Sequence, residues 1–416
     1  MVYGWILLHY VIIGNGGAGV SALQTIREID SKSDITIISR EQYPAYSPCS
    51  LPNLLAGEID KPKIFRFDKN FYKSLNAKFM KNTEALQIIP RDKKIKLANG
   101  NYIKFDKLLI AAGAKAITPK EIKGLELDGV HVMGTLDSAL EILAHLNQGA
   151  SRAVVIGGGF MGVETATMLR KRGIEVSIVE MLPHILSRML DPDVSEKVAE
   201  ILKDHGIKLV LNDTLKSVNG KKTVTGVSLG KETLRCDMVV MAIGVAPNID
   251  IAQGSGIRVN QGIIVDSVMQ TNKRNIYAAG DIAEVWEQIE GKQGSFAIWP
   301  NAVEQGRIAG LNIAGRHTKY DGAEVVNVLD VFDMPVVAMG RTSKEVGRCK
   351  VITRFTPHTS KKILLKNNKL VGLQYVGTIR NAGTFYSLMK KGSDVSGIAE
   401  RLLDDNFVIA PDIVLP

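Results

Sequence analysis

Two glycine-rich loops with the same spacing are the residues of this chain best suited to binding chemistry. The first loop spans residues 14–19 (GNGGAG) after an apolar run at 10–13, and the second spans 157–162 (GGGFMG) after a run at 153–156. In such a loop the first glycine permits a tight turn, the second lets a pyrophosphate approach the backbone, and the third lets helix and strand pack closely. The helix that follows directs its N–H groups and dipole at the phosphates. One loop is a weak signal, but two in matching context indicate a chain that holds two dinucleotides.

The strand that follows each loop ends on a different kind of residue. Glu180 comes 18 residues after Gly162, where a carboxylate accepts hydrogen bonds from an adenosine ribose and repels a 2′-phosphate. No arginine follows it directly, so the second loop favours NAD over NADP. The equivalent position in the first unit is Ser39, followed by Arg40 and Glu41. Either Ser39 or Glu41 has the reach for a ribose, and the sequence leaves that choice open.

A third polar residue, Asp281, follows the strand-like segment 275–280. A carboxylate at the carboxyl end of a strand is well placed to hold a ligand hydroxyl. The alternative is a helix N-cap for a segment that begins at Ile282. Both roles are compatible with the sequence.

The elements that position these residues form two βαβ units. The first pairs strands at 10–14 and 35–38 around a helix at 18–29, whose apolar residues recur at helical spacing. Its length of about 30 residues is typical of a βαβ unit. Residues 152–180 repeat the pattern.

The rest of the chain shows two further patterns. Segments at 102–113 and 236–248 each predict a strand that ends in small residues, one after each unit. Near the C-terminus, β-rich stretches at 325–337 and 362–377 precede a helix at 382–391. This change of character indicates a separate α+β domain.

Length and composition set the class of protein. A chain of 416 residues with 45% apolar and 23% charged residues predicts a globular protein of two to four domains. The cysteines Cys49, Cys236 and Cys349 lie far apart, so we expect no disulfide framework and no zinc or iron–sulfur site. We therefore expect a reducing, cytoplasmic setting. The apolar N-terminus lacks a basic region and a cleavage site, and no other segment has the roughly 20 apolar residues that span a membrane.

Positive charge is concentrated in one segment. The chain carries a formal net charge of +9, and residues 61–81 hold seven bases against one acid, Asp68. The bases are Lys61, Lys63, Arg66, Lys69, Lys73, Lys78 and Lys81. A lysine-rich proteome explains such a charge, and so does a patch for phosphorylated ligands or for an acidic protein partner. No nucleic-acid-binding motif accompanies it, so we expect no nucleic-acid partner.

In their order along the chain, these motifs resemble those of the FAD-dependent pyridine-nucleotide-disulfide oxidoreductases. The order is the first loop, LLIAAG at 108–113, the second loop with Glu180, AIGVAPN at 242–248, and IYAAGD at 276–281. The resemblance implies an α/β fold with two Rossmann-like dinucleotide-binding domains, for FAD and NAD, plus a C-terminal α+β domain. The implied FAD-binding domain is discontinuous (1–115 and 245–317), the NAD-binding domain spans 116–244, and the C-terminal, interface-like domain spans 318–416.

The same resemblance assigns roles to residues. It implies that the first loop binds the FAD diphosphate and Asp281 the ribityl chain, that the second loop and Glu180 bind NAD(H), and that 299–306 lies beside the flavin pyrimidine. The predicted cofactor-binding residues are Gly14, Gly16, Gly17, Ala18, Gly19, Ser39, Arg40, Glu41, Ala85, Ala112, Gly113, Gly157, Gly159, Phe160, Met161, Gly162, Glu180, Gly244, Gly280, Asp281, Glu304 and Gln305.

The role of Cys49 divides the family's branches. A dithiol reductase of this family has a CxxxxC pair here, whereas this chain has a lone cysteine in YSPCSLP at 46–52. That context resembles CoA-disulfide reductases and NADH oxidases, in which the cysteine is the redox-active catalytic thiol. It is equally similar to NADH:rubredoxin reductases and nitrite-reductase flavin domains, and flavin subunits of anaerobic aldehyde or 2-oxoacid oxidoreductase complexes are similar too. In these proteins the cysteine need not react. The sequence leaves both readings open.

The predicted function is an FAD-dependent NAD(P)H oxidoreductase that passes hydride from NADH to FAD and electrons to a second acceptor, or the reverse. In one form it is the NADH-linked flavin subunit of a redox complex, with an iron–sulfur or rubredoxin-like protein partner. In the other it is a stand-alone CoA-disulfide reductase or NADH oxidase that uses Cys49 on a small disulfide. We expect a homodimer or a subunit of a complex, with no metal and no membrane partner.

Overall fold

The computed structural model describes residues 7–289 and 291–404. The first residues of the apolar N-terminal stretch and the last residues of the predicted C-terminal domain lie outside these ranges. In the described residues the helices are α1 (Gly17–Ile29), α2 (Leu51–Ala56), α3 (Phe71–Ser74), α4 (Leu136–Asn147), α5 (Phe160–Lys171), α6 (Pro192–Asp204), α7 (Trp299–Ile313), α8 (Ser343–Val346) and α9 (Ala382–Lys391).

The strands number from the N-terminus. They are β1 (His9–Ile13), β2 (Asp34–Ile38), β3 (Ala77–Met80), β4 (Ala85–Ile89), β5 (Lys94–Leu97), β6 (Tyr102–Lys104), β7 (Lys107–Ile110), β8 (Ala114–Ala116), β9 (Val130–Val132), β10 (Arg152–Ile156), β11 (Glu175–Glu180), β12 (Lys208–Leu211), β13 (Leu215–Gly220), β14 (Val224–Leu229), β15 (Thr233–Arg235), β16 (Met238–Met241), β17 (Val245–Pro247), β18 (Ile263–Ile264), β19 (Ile276–Ala278), β20 (Ala283–Trp286), β21 (Gln293–Gly294), β22 (Val326–Val331), β23 (Met334–Gly340), β24 (Lys350–Phe355), β25 (Ser360–Lys366) and β26 (Lys369–Val376).

The chain folds into two compact units. The first unit contains the residues up to Cys49 together with Lys61–Lys115 and Val245–Glu324. The second unit contains Ser50–Asp60, Ala116–Gly244 and the residues from Val325 onward. The three-domain boundaries remain a prediction.

The first unit is built on a five-stranded parallel sheet in the order β19-β7-β1-β2-β3. Its central strands are runs of β-branched and leucine residues buried on both faces, as a parallel sheet requires. Strand order reverses at β1, which has β2 on one side and β7 on the other. A crevice for ligands opens at such a switch point, outside the carboxyl ends of the strands.

The second unit repeats this plan with a five-stranded parallel sheet in the order β12-β11-β10-β16-β9. Strand β10 takes the place of β1, and β11 and β16 take the places of β2 and β7. The predicted α/β fold class with two Rossmann-like sheets is therefore confirmed.

Each parallel sheet carries an antiparallel insertion that the sequence did not reveal. In the first unit β4, β5 and β6 form a three-stranded sheet between β3 and β7 in the chain, and in the second β13, β14 and β15 do so between β12 and β16. The prediction of one strand over 102–113 is wrong, because β6 and β7 belong to different sheets. The chain turns between them at Asp106, whose carboxylate accepts a hydrogen bond from the His9 backbone N–H at 2.8 Å.

The predicted C-terminal α+β region forms an antiparallel sheet in the order β22-β23-β26-β25-β24 within the second unit. Helix α9 packs on it, with the Phe385 ring edge-on to Tyr375 at 6.0 Å between centroids. The sheet is joined to α6 by a buried ion pair. The Lys362 Nζ lies 2.8 Å from Asp191 Oδ2 and 2.8 Å from Asp193 Oδ1.

The described helices are too short or too polar for a bilayer. None of those within 7–289 and 291–404 combines the length and apolar character that a membrane-spanning helix needs.

Candidate dinucleotide sites

The first glycine loop is held at the carboxyl end of β1 by contacts that only glycine allows. Gly14 has a φ of +110°, and a Cβ there would lie 1.9 Å from the Ala111 carbonyl oxygen. A Cβ on Gly19 would lie 1.9 Å from the Gly14 oxygen. The loop is therefore pressed against the end of β7, which brings the predicted residues Ala112 and Gly113 beside it.

The second glycine loop reproduces this geometry. Gly157 also has a φ of +110°, and its Cβ would lie 2.4 Å from the Ala242 carbonyl oxygen at the end of β16. A Cβ on Gly162 would lie 1.9 Å from the Gly157 oxygen. The predicted residue Gly244 follows two positions after Ala242 and adopts a φ of +117°.

The middle glycine of each loop behaves differently. A Cβ on Gly16 or on Gly159 would meet no atom within 4 Å. Each of these glycines is the N-cap of its helix, α1 or α5, with extended backbone that any residue adopts. Neither fold nor backbone conformation therefore demands glycine here. A ligand that must approach the backbone closely would require glycine at these positions, and a dinucleotide pyrophosphate is such a ligand.

The carboxylate of Glu180 completes the second loop. Its Oε2 accepts a hydrogen bond from the Gly158 backbone N–H at 2.6 Å, and its Oε1 accepts one from Leu182 N–H at 2.9 Å. Both oxygens keep a second lone pair, so the residue fits a ribose diol. The predicted residues Phe160 and Met161 form the first turn of α5.

The strand registers show which residue of the first unit corresponds to Glu180. Gly14 N–H donates to the Ile38 carbonyl at 2.8 Å, and Gly157 N–H donates to the Val179 carbonyl at the same distance. The residue after Ile38 is Ser39, which therefore occupies the Glu180 position. Its Oγ accepts a hydrogen bond from Glu41 N–H at 3.2 Å.

The neighbouring predicted residues have different surroundings. Arg40 is exposed. The Glu41 carboxylate accepts a hydrogen bond from the Tyr46 hydroxyl at 2.7 Å, and Ala85 begins β4. Which of Ser39 and Glu41 contacts a ribose stays a prediction.

Asp281 lies at the same edge of the first sheet as the first loop, because it follows β19. Burial raises its pKa to about 6. No other described residue donates a hydrogen bond to its carboxylate. A partly buried carboxylate without another donor fits a ligand hydroxyl. The alternative role as a helix N-cap is wrong, since Ile282 leads into β20 rather than a helix.

Helix α7 brings further predicted residues to the first loop. Gln305 is buried, and its Oε1 accepts a hydrogen bond from Gly280 N–H at 2.8 Å. A Cβ on Gly280 would lie 3.1 Å from the Ala18 Cβ, and one on Gly17 would lie 3.2 Å from the Trp299 ring. Glu304 instead pairs with Arg307 at 2.7 Å on the exposed side of α7, and its cofactor role remains a prediction.

Cys49 is exposed and is joined to no other described cysteine by a disulfide. It lies in the short 3-10 turn Pro48–Ser50 that leads directly into α2. The boundary between the two compact units falls immediately after it. The thiol therefore lies at the N-terminal side of α2.

Two residues near the loops, Asn15 and Glu164, were not among the site residues predicted from the sequence. The side chain of Asn15, inside the first loop, accepts a hydrogen bond from the Tyr72 hydroxyl at 2.8 Å, and that long-range contact left no local sequence signal. Glu164 follows the second loop in α5, and burial raises its pKa to about 7. A carboxyl group two positions after Gly162 was a readable signal, because it sits in the first turns of the helix beside the loop.

The comparisons with known proteins agree with this geometry. The sequence profile described as pyridine nucleotide-disulphide oxidoreductase matches residues 8–306. An NADH oxidase from Methanocaldococcus jannaschii is 33% identical over 433 aligned positions, which cover 98% of this chain and 95% of the relative. The epsilon subunit of an NADH-dependent phenylglyoxylate dehydrogenase from Aromatoleum evansii is 30% identical, with 97% of each chain covered.

A solved structure shows the same likeness. The NAD-dependent persulfide reductase from A. fulgidus matches with a TM-score of 0.88 at 27% identity, covering 97% of this chain and 80% of that one. Fold, paired loops and relatives all point the same way. The chain belongs to the pyridine nucleotide-disulphide oxidoreductase family and is an FAD- and NAD(P)H-dependent oxidoreductase.

Proposed function

We propose that this chain is the NADH-linked flavin subunit of a redox complex and exchanges electrons between NADH and an iron–sulfur or rubredoxin-like protein. The observation that carries the proposal is the pair of glycine loops with the same backbone geometry in two separate units. One chain with two such sites suits a protein that relays electrons between two bound dinucleotides. The Aromatoleum relative supports the subunit assignment, because it is named as a subunit and matches over nearly its whole length.

The first unit supplies the residues that would hold FAD. The N-terminus of α1 and the open approach at Gly16 would receive the diphosphate, while Asp281 would accept a hydrogen bond from a ribityl hydroxyl. When bound, FAD supplies the redox chemistry by accepting a hydride equivalent from NADH and releasing the electrons to the next acceptor. The protein contributes position and electrostatics.

The second unit supplies the residues that would hold NADH. The N-terminus of α5 and Gly159 receive its diphosphate, and Glu180 accepts hydrogen bonds from the adenosine ribose. A 2′-phosphate would bring negative charge against this carboxylate. We therefore propose NADH rather than NADPH as the substrate.

The alternative is a stand-alone CoA-disulfide reductase or NADH oxidase that uses Cys49. Its support is the exposed position of the Cys49 thiol in the turn before α2 and the names of the Methanocaldococcus and A. fulgidus relatives. In that mechanism the thiolate attacks the disulfide, forms a mixed disulfide with one half and releases the other as a thiol. Two electrons from NADH then reduce the mixed disulfide.

Substitution of Cys49 by serine separates the two mechanisms. The purified flavoprotein is titrated anaerobically with NADH, and its steady-state turnover is measured with an iron–sulfur protein and with CoA disulfide. Under the proposal Cys49→Ser takes up the same number of electrons and keeps its turnover with the iron–sulfur protein. When both proteins are first treated with CoA disulfide and freed of the excess, a loss of two electrons per chain in Cys49→Ser together with loss of disulfide turnover would support the alternative, because the mixed disulfide at Cys49 takes up the extra pair. Cys349→Ser is the control, since Cys349 likewise forms no disulfide with a described cysteine.

A further inference from the structure

The basic segment, residues 61–81, carries charge that the fold does not neutralise. All seven of its lysine and arginine side chains are exposed. Within the described residues none of them forms an ion pair with a carboxylate. Seven bases against the single acid Asp68 leave an uncompensated positive surface, whose self-repulsion an acidic partner would relieve.

The segment is an ordered part of the first unit. Its side chains Ile64, Phe71 and Tyr72 are buried in the core. Phe67 stacks on Phe71 with 3.8 Å between centroids, and Tyr72 stacks on Phe79 at 4.3 Å. These apolar anchors fix the backbone of the segment to the first unit, so the segment is part of a surface rather than a loose tail.

The same anchors join the basic segment to the first glycine loop. The Tyr72 hydroxyl donates a hydrogen bond to Asn15 Oδ1 inside the loop at 2.8 Å. The Arg66 guanidinium lies 6.0 Å from the centroid of Trp299, whose ring packs against Gly17. The segment also ends at the carboxyl edge of the sheet, where Lys81 follows β3. A partner on this surface would sit beside the proposed flavin loop.

We propose that the basic segment is the docking surface for an acidic electron-carrier protein. All seven cations are exposed, so none of them is held in a buried pocket. Four of them lie in the 3-10 turn at 61–64, in α3 and in the edge strand β3, and the other three lie in the connections next to these elements. That arrangement suits a wide, hydrated interface in which charge complementarity steers association.

This inference rests on the proposed function, since the carrier takes the electrons that NADH supplies. One NADH is oxidised to NAD⁺ and a proton, and two one-electron carriers are each reduced by one electron. The surface decides how fast a carrier associates. It takes no part in the oxidation of NADH.

The test uses the full-length flavoprotein with three acceptors: recombinant rubredoxin as an acidic one-iron probe, menadione as an uncharged acceptor and CoA disulfide as a phosphorylated one. The charge-reversal variant is Lys69→Glu with Lys73→Glu, both on the exposed side of the segment. The matched control is Lys96→Glu with Lys104→Glu, which makes the same charge change on exposed lysines of the β5–β6 hairpin in the same unit. NADH-driven kcat/KM is measured for each acceptor at low and high salt.

The proposal expects the charge-reversal variant to lose about tenfold or more in kcat/KM for rubredoxin at low salt, with the loss disappearing at high salt. Turnover with menadione stays unchanged, and the control variant loses little. Equal losses in the two variants would overturn the docking assignment, and so would a wild-type protein that reduces menadione but not rubredoxin. If the variant instead loses CoA-disulfide reduction alone, the segment binds a phosphorylated small molecule. A wild-type protein that reduces neither rubredoxin nor menadione would contradict the proposed function itself.

Discussion

The Glu180 carboxylate and the Gly158 backbone N–H are joined by a hydrogen bond of 2.6 Å between nitrogen and Oε2. This contact ties the end of β11 to the second glycine loop. A ribose at Glu180 and a diphosphate at the N-terminus of α5 therefore meet parts of the protein that are already fixed together. In the first unit Ser39 occupies the position equivalent to Glu180.

Removal of the Glu180 carboxylate should alter the choice of nicotinamide dinucleotide. In Glu180→Ala the ribose loses a charged hydrogen-bond acceptor, so the KM for NADH should rise roughly tenfold to a hundredfold. The kcat/KM ratio of NADH to NADPH should fall, because a 2′-phosphate no longer meets a negative charge. Steady-state kinetics with both dinucleotides measure this. Glu175→Ala, at the exposed start of the same strand, is the control, and an unchanged ratio in Glu180→Ala would contradict the assignment.

The first loop offers a matched pair of glycine substitutions. Gly16→Ala places a Cβ where no protein atom lies within 4 Å, so the apoprotein should keep its stability to within about 0.5 kcal/mol. The purified protein should nevertheless retain much less flavin. Gly19→Ala places a Cβ 1.9 Å from the Gly14 oxygen and should destabilise the apoprotein by roughly 1–3 kcal/mol. Flavin content per chain and urea unfolding of the apoprotein measure both effects, and full flavin content in Gly16→Ala would refute the role of the loop.

Asp281 should make the stability of the apoprotein depend on pH. Burial raises its pKa from 3.8 to about 6, so the folded state binds more protons than the unfolded state between these values. The free energy of unfolding should therefore fall as pH rises through that window, by at most about 3 kcal/mol. Asp281→Asn should remove this dependence and be more stable than the wild type at pH 7. Urea unfolding at several pH values measures this dependence, with Asp60→Asn at an exposed position as the control. Parallel profiles of unfolding free energy against pH for wild type and Asp281→Asn would contradict the prediction.

The ion pair between Lys362 and Asp191 should be structural. Burial opposes the charge on both groups, but the hydrogen bonds from Lys362 and Ser343 hold the pKa of Asp191 below its usual range. Lys362→Ala would leave a buried carboxylate without its cation, so unfolding of the second unit should cost roughly 3–5 kcal/mol less. Denaturant unfolding followed by circular dichroism measures this, against Lys344→Ala as an exposed control. A loss below about 1 kcal/mol would show that the pair is dispensable.

Local chemistry made the two loops and their parallel sheets predictable from sequence. Glycines at fixed spacing between a buried strand and a helix leave little choice of structure, and Glu180 follows at a fixed distance. The predicted helices begin two residues and one residue late, at 162 and 18 rather than at Phe160 and Gly17. The reason is that the third glycine of each loop lies within the first turn of its helix.

What the sequence could not predict depends on contacts between distant residues. The bond from Tyr72 to Asn15 joins positions 57 residues apart. The division of 102–113 into two strands follows from pairing with β5 on one side and β1 on the other. The absence of a helix after Asp281 likewise follows from the pairing of β20 with β18. None of these partners can be read from local propensity.

The most direct test of the central claim is anaerobic rapid mixing of the flavoprotein with NADH while flavin absorbance is followed. One equivalent of NADH should bleach the flavin absorbance of the wild-type protein. The Gly159→Ala protein should keep its full flavin content. Its flavin should be bleached at least tenfold more slowly at low NADH, because the added Cβ obstructs the second dinucleotide. A Gly159→Ala protein that loses its flavin, or that is bleached as fast as wild type, would contradict the assignment of the two loops to two different dinucleotides.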